Sequence, residues 1–123
     1  MQKLVYLLED DMDIREMIEY LLAETTYRTD SFGTATAFRE TMARAIPDLV
    51  IMDITLPDGN GIEICRDMKS SGDTRHIPIL LMSANLNSKL KSVECEADDF
   101  ISKPFDIDQL MKKVNYLASV QNS

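Results

Sequence analysis

A single histidine and only two cysteines mark what this chain of 123 residues does without. His76 stands alone before Ile77-Pro78, so a histidine-centred metal site or a Ser-His-Asp triad would rest on that one residue, and it reads as part of a loop. Cys65 and Cys95 lack both the paired spacing of a zinc site and the density of a disulfide framework, and are expected as buried or half-buried reduced thiols. Basic charge is scarce as well. Thirteen Lys and Arg stand against twenty-one Asp and Glu, and the net charge of -8 repels the phosphate backbone that supplies most nonspecific affinity for nucleic acid. Direct nucleic-acid binding is therefore not expected. No apolar run exceeds the length of a strand, and no basic segment leads into one at the N-terminus, so no membrane contact is expected and the chain reads as a soluble cytoplasmic protein. Its length suits one domain, 1–123, burying roughly two-thirds of the extended-chain surface, and no repeat, low-complexity tract or linker divides it.

What the chain does have is an alternation of short apolar runs and segments of helical period. Leu4 to Leu8, Leu49 to Met52, Ile79 to Met82 and Phe100-Ile101 are apolar without alternation, as strands covered on both faces should be. Ile14, Met17, Ile18, Leu21 and Leu22 share one helical face, as do Ile107, Leu110, Met111, Val114, Leu117 and Ala118. The pairs Asp13 with Glu16 and Asp106 with Gln109 predict where those two helices begin. A weaker helix is expected from about Thr36 until Pro47 ends it. Another starts near Asn60 and closes at Ser70-Ser71-Gly72. The more polar Tyr27 to Phe32 suits one sheet edge and the short Phe100-Ile101 the other. The pattern predicts an α/β, doubly wound, mainly parallel sheet.

Five residues that follow these runs, Glu9, Asp10, Asp53, Ser83 and Lys103, would then share the rim at the carboxyl ends of the strands, where open α/β sheets bind ligands. Three carboxylates about 5 Å apart repel by roughly 3 kcal/mol per pair at an effective dielectric of 20, so they need a cation or raised pKa values. Oxygen-only ligation points to Mg2+, with Mn2+ as a substitute. Lys103 and Ser83 suit phosphoryl oxygens, and an ionised Asp53 can attack a phosphoryl group to give an aspartyl phosphate. Each piece also has a plainer reading: a helix cap or solvated turn for Glu9-Asp10-Asp11, a loop start for Asp53 ahead of Pro57-Asp58-Gly59, a surface lysine, a capping serine, a core aromatic at Phe100. Their joint order argues for a site.

In that order the chain resembles the receiver domain of two-component response regulators, through Leu7-Leu8-Glu9-Asp10-Asp11, Asp53 to Gly61, Met82-Ser83-Ala84, and Ala97-Asp98-Asp99-Phe100-Ile101-Ser102-Lys103-Pro104-Phe105. The resemblance covers essentially the whole chain. It implies a flavodoxin-like five-stranded parallel sheet of order 2-1-3-4-5 flanked by five helices. It also implies that Asp53 accepts a phosphoryl group from phosphohistidine on a sensor histidine kinase or histidine phosphotransfer protein. By the same resemblance Asp10, Asp53 and the Thr55 carbonyl ligate Mg2+, Glu9 acts through a water, and Ser83 and Lys103 hold the phosphoryl oxygens. Phe100 is the switch aromatic, Thr55 and Asn85 tune the lifetime of the phosphate, and Lys103–Pro104 is a cis peptide. Asp11 stands beside the metal pair without being a ligand.

Some positions depart from the family's pattern. Phe100 has no phenolic hydroxyl, Glu96 stands where a glycine often precedes Ala97-Asp98, and the span from Ser83 to Lys103 is short. The polar segment Asn87 to Val93 is a short helix to hold itself, and it belongs to the face of fourth helix, last strand and last helix that receivers use for output and dimerisation. The expected function is a phosphorylation-dependent switch that binds a downstream protein or passes phosphate on, as a monomer or a phosphorylation-dependent dimer. No output domain and no turnover of external substrates are expected, only the protein's own phosphorylation and dephosphorylation. Two other classes compete. A Mg2+-dependent phosphatase would want an aspartate general acid where Thr55 stands, and a phosphate-independent interaction module would tolerate Asp53→Asn.

Overall fold

A computed structural model of the chain describes residues 2–85 and 88–120, with side chains throughout except at 88–90. Five strands, β1 (Leu4–Leu8), β2 (Arg28–Phe32), β3 (Leu49–Asp53), β4 (Ile79–Ser83) and β5 (Asp99–Ser102), form one parallel sheet of order β2-β1-β3-β4-β5. Five helices connect and follow them: α1 (Met12–Ala23), α2 (Ala35–Met42), α3 (Gly61–Ser70), α4 (Ser88–Glu94) and α5 (Ile107–Ser119). The expected fold class and strand order hold, with the polar β2 and the short β5 as edges.

Side chains of a strand point alternately to opposite faces, and here both faces are apolar. Val5, Leu7, Leu49, Ile51, Leu80 and Met82 pack with Ile18 and Leu22 of α1 and Leu110 and Val114 of α5. Tyr6, Leu8, Val50, Met52 and Leu81 pack with Phe38 of α2 and Ile64, Cys65 and Met68 of α3. Burying a large aliphatic side chain contributes about 1.5–3 kcal/mol, so the continuous apolar runs of β1, β3 and β4 hold the sandwich from within. Tyr6, Phe32 and Phe38 meet edge to face at centroid distances of 5.2, 6.1 and 5.8 Å, and the Tyr6 hydroxyl donates to the Ala45 carbonyl, so a buried phenol keeps its hydrogen bond. Cys65 and Cys95 are buried free thiols, and burial pushes the Cys65 thiol far up.

Helix ends depart from expectation at two places, the start of α1 and the close of α2. α1 is capped by Asp11, whose carboxylate accepts from the Asp13 and Ile14 amides, and not by Asp13, which therefore lies inside the first turn. α2 begins at Ala35 behind Thr34, and it stops at Met42, ahead of Pro47. The Arg44 and Ala45 amides turn back onto the Thr41 carbonyl, which closes the helix before proline can act. α3 and α5 start as expected, behind Asn60 and Asp106.

At the amino end of the sheet Asp98 Oδ2 accepts from the Ile79 amide at 2.7 Å and from Lys69 Nζ at 2.8 Å, and Lys69 also donates to the Ile77 carbonyl. That clamp fixes how β5 enters the sheet. Just before it, Glu96 has φ 66°, the left-handed region in which a Cβ is strained, which explains the glycine often found there in the resemblance. Glu96→Gly is expected to stabilise the protein by roughly 0.5–1 kcal/mol and raise its Tm by a few degrees. An unchanged or lowered Tm in calorimetry would contradict this.

Candidate functional site

The winding direction reverses at β1, whose neighbours β2 and β3 lie on opposite sides, and the carboxyl ends of β1, β3, β4 and β5 converge beside that switch. Among the described residues, Glu9, Asp10 and Asp53 each bring one carboxylate oxygen within 4.8 Å of the others. Glu9 and Asp53 are buried and Asp10 is exposed, so the cluster is open on one side. Lys103 closes it from β5: Nζ donates to Glu9 Oε1 at 2.6 Å and to Asp53 Oδ2 at 3.1 Å. One ammonium therefore holds two carboxylates from strands far apart in sequence. Lys103–Pro104 is cis, as the resemblance implied.

Burial, the largest influence on Glu9, raises its pKa above the ordinary 4.5, and the Asp53 charge adds to the rise. The Lys103 hydrogen bond and the Asp11 amide, 3.0 Å from Oε2, work against it. For Lys103 burial is again the largest single influence and opposes the ammonium, but Glu9 and Asp53 together outweigh it and hold the pKa above 10.5. Each member thus works against the desolvation of the other, in full for Lys103 and in part for Glu9.

The remaining expected residues lie on the same rim. Thr55 is exposed, and its amide points at Asp53 Oδ1 from 3.4 Å. Ser83 is buried at the end of β4; its hydroxyl accepts from the Asn85 amide at 3.0 Å, and its carbonyl accepts from the Lys103 amide at 2.9 Å. β4 and β5 are therefore tied together next to the lysine. Phe100 is half-buried against the core on the α2–α3 face, one residue from Asp99, whose carboxylate takes both of its 3.0 Å contacts from Lys113 of α5. Residues 86–87 lie outside the described residues.

Three contributors escaped sequence reasoning. Arg15 Nη1 donates to the Glu9 carbonyl at 2.9 Å, fixing the end of β1 from the first turns of α1. Gly61 sits so close to Asp53 that an added Cβ would lie 2.5 Å from the Asp53 carbonyl oxygen, and its amide donates to the Ile54 carbonyl. Between them the chain forms a two-residue antiparallel ladder, Thr55–Leu56 with Gly59–Asn60, where only a turn was expected, and Asp58 at its tip bonds to α2. The Pro-Asp-Gly turn signal located this loop; its long-range partners leave no local signature.

Chemically, an open acidic cluster beside a half-buried lysine can hold a hard divalent cation and receive an anion. Its donors are oxygens only, which fits Mg2+ and equally Mn2+.

Comparison with known proteins agrees. A family model described as the response regulator receiver domain matches residues 5–115. The regulatory protein VanRB of Enterococcus faecalis is 34% identical over 115 residues, which make up 92% of this chain and 51% of that protein. The chain spans about half the length of the curated relatives it matches. Among solved structures, the signal receiver domain of a signal transduction histidine kinase from Syntrophus aciditrophicus matches with a TM-score of 0.90 and 31% identity over 98% of this chain and 94% of that one. A response regulator structure from Chloroflexus aurantiacus matches with a TM-score of 0.92 over 98% and 100% of the two chains, and at 23% identity it bears on the fold alone.

Proposed function

The chain belongs to the response regulator receiver family, and from that premise we propose that it is a phosphorylation switch whose acceptor is Asp53. The observation that carries the proposal is the contact of Lys103 with both Glu9 and Asp53 at the mouth of an oxygen-only cluster. Receiver domains are signalling modules that interact with histidine kinases and with downstream partners, and bind Mg2+ at an acidic pocket; for this chain the donor would be a phosphohistidine. Glu9, Asp10, Asp53 and the Thr55 carbonyl would hold the Mg2+, Glu9 through a water. Bound there, the ion supplies positive charge against the phosphoryl oxygens.

An Asp53 carboxylate oxygen forms the new bond to phosphorus as the phosphorus–nitrogen bond to imidazole breaks, and the imidazole leaves neutral or takes up a proton. Lys103 can turn from Glu9 toward the new phosphoryl oxygens, and Ser83 offers its hydroxyl on the same side. Because Lys103 and Ser83 are joined through backbone, that rearrangement reaches β5 and Phe100 by packing, with no phenolic hydroxyl involved. Beside Lys103 an apolar groove of about 450 Å³, lined by Ile14, Met17, Ala84, Pro104 and Phe105, gives the donor's histidine-bearing helix a seat within reach of Asp53. Thr55 and Asn85 would govern access of hydrolytic water to the acceptor.

Incubating the protein with Mg2+ and an acyl phosphate, then weighing it intact, tests the proposal. One phosphoryl group per chain, dependent on Mg2+, is expected; an unmodified mass would sink it. Continued release of phosphate over many turnovers would favour a phosphatase instead.

The output surface is proposed to be α4, β5 and α5. α4 has only seven residues, and Val93 on it is 70% exposed. A helix this short is marginal without strong packing. Amides of Ser88–Val93 are therefore expected to exchange faster than those of α5 before phosphorylation and to gain protection after it. Equal protection of α4 and α5 in the unphosphorylated protein would refute this.

A further inference from the structure

The carboxylate of Asp58 leaves the loop after β3 and closes on another element. Its Oδ1 accepts from the Ala35 amide at 2.7 Å, and its Oδ2 accepts from the Thr36 amide at 3.0 Å and the Thr36 hydroxyl at 2.7 Å. Those amides open α2, and Thr34 covers the next one, Ala37, at 3.2 Å. A helix start needs acceptors for its first amides, and here two of them are satisfied from 23 and 22 residues away. The Asp58 carboxyl is held below its ordinary pKa of 3.8, first by the Thr36 hydroxyl and then by the Ala35 and Thr36 amides, so it is ionised where the protein works.

The same loop is fixed at its other end to the acceptor. Gly61 lies against the Asp53 carbonyl, the Ile54 amide donates to the Met82 carbonyl, and the ladder of Thr55–Leu56 with Gly59–Asn60 makes one stiff piece of what lies between. Leu56 is buried in the core with Ala35 and Phe38, and a Cβ added at Gly59 would lie 3.1 Å from that of Ala35. A shift at the tip of this hairpin must therefore reach Thr55 at its base.

We infer that Asp58 is a positioning residue: its clasp on α2 fixes the Thr55 edge of the site and so sets the affinity for Mg2+, while occupancy of the site in turn steadies the first turn of α2. This rests on the reading of Thr55 and Asp53 as the metal edge of a phosphoacceptor site. Linkage makes the effect reciprocal, since whatever the clasp adds to binding, binding adds to the clasp.

Calorimetric titration of Mg2+ into the full chain, with hydrogen exchange at Ala35 and Thr36, separates this role from simple helix capping. Asp58→Ala is expected to weaken Mg2+ about 5-fold, the scale of one net hydrogen bond, and Thr36→Val to weaken it less. The Mg2+ concentration for half-maximal phosphorylation should rise in step, while the rate at saturating Mg2+ changes less than about 2-fold. Ala35 and Thr36 amides should exchange more slowly when Mg2+ is added to the wild type, and show no such response in Asp58→Ala. Should Asp58→Ala not fold, Asp58→Asn, which keeps one acceptor oxygen, serves in its place. Mg2+ affinity unchanged in the Asp58 variant, or α2 amides indifferent to Mg2+ in the wild type, would overturn the clasp. A wild type that binds Mg2+ with this dependence on Asp58 but takes no phosphoryl group supports the clasp and overturns the phosphoacceptor reading.

Discussion

Asp53→Asn is expected to lose phosphoryl uptake by more than about 100-fold, because an amide oxygen is a far poorer nucleophile than a carboxylate and the replaced group forms the new bond itself. The variant should nevertheless fold. Glu9 remains paired with Lys103 at 2.6 Å, so what is removed is the weaker 3.1 Å contact together with the repulsion that Asp53 exerts on Glu9 and Asp10. Each such repulsion is roughly 3 kcal/mol at 5 Å and an effective dielectric of 20, before solvent at the open side reduces it. Without divalent ions the variant is therefore expected to match or exceed the wild type in Tm, and to gain less on adding Mg2+, since a ligand stabilises only in proportion to its binding. Intact mass and Tm with and without Mg2+ check both halves. Wild-type uptake in the variant would show that the acceptor lies elsewhere.

Lys103→Met should have the largest effect on stability. It leaves Glu9, fully buried, and Asp53, nearly so, without their shared cation. Removing one partner of a buried pair costs more than the pair contributes, and a loss of about 2–4 kcal/mol near pH 8 is expected. The pH dependence follows from the direction of the Glu9 shift. Its folded pKa is already above the ordinary 4.5, and loss of the lysine, which lowers it, raises it further. Between 4.5 and the folded value the folded protein keeps a proton that the unfolded chain has released, so stability falls as pH rises through that window. The deficit of the variant should accordingly be small at pH 5 and grow toward pH 8.

At high pH the sign reverses. Lys103 in the wild type is raised above 10.5, so its contribution is complete below 10.5 and lost as pH rises through the folded value, and the two proteins should converge there. Denaturant titrations across this range give the test. A deficit that stays flat from pH 5 to pH 8, or none at pH 8, would contradict the account of the Glu9–Lys103 pair.

The parts of this molecule legible in the sequence are those encoded by contiguous residues. Leu49 to Met52 and Ile79 to Met82 announce doubly covered strands because both faces of the sheet demand apolar side chains, and once the five strands are placed the rim collects Glu9, Asp10, Asp53, Ser83 and Lys103 without further information. Local capping was only half legible. Asp106 caps α5 as its spacing suggests, whereas for α1 the Asp13–Glu16 spacing was overridden by Asp11, whose carboxylate takes the Asp13 and Ile14 amides and leaves Asp13 inside the first turn. What sequence spacing hides is the pairing of side chains across the sheet. Lys103 reaches back 94 residues to Glu9, and Asp58 reaches 23 residues to Ala35 in the middle of a stretch that looks like an ordinary turn. Glu96 shows the converse: its departure from glycine was visible in the sequence, but the strain behind it appears only with φ 66°.

The central claim is that Asp53, among three carboxylates clustered within 4.8 Å, is the one that carries the phosphoryl group. An acyl phosphate is reduced by borohydride to an alcohol while free carboxylates are not, so the acceptor aspartate alone is converted to homoserine. Phosphorylating the protein with Mg2+ and an acyl phosphate, reducing it, and sequencing the peptides by mass should place homoserine at position 53, with Glu9, Asp10 and Asp11 unchanged. Homoserine at another position, or no conversion in protein shown by intact mass to carry a phosphoryl group, would contradict the account.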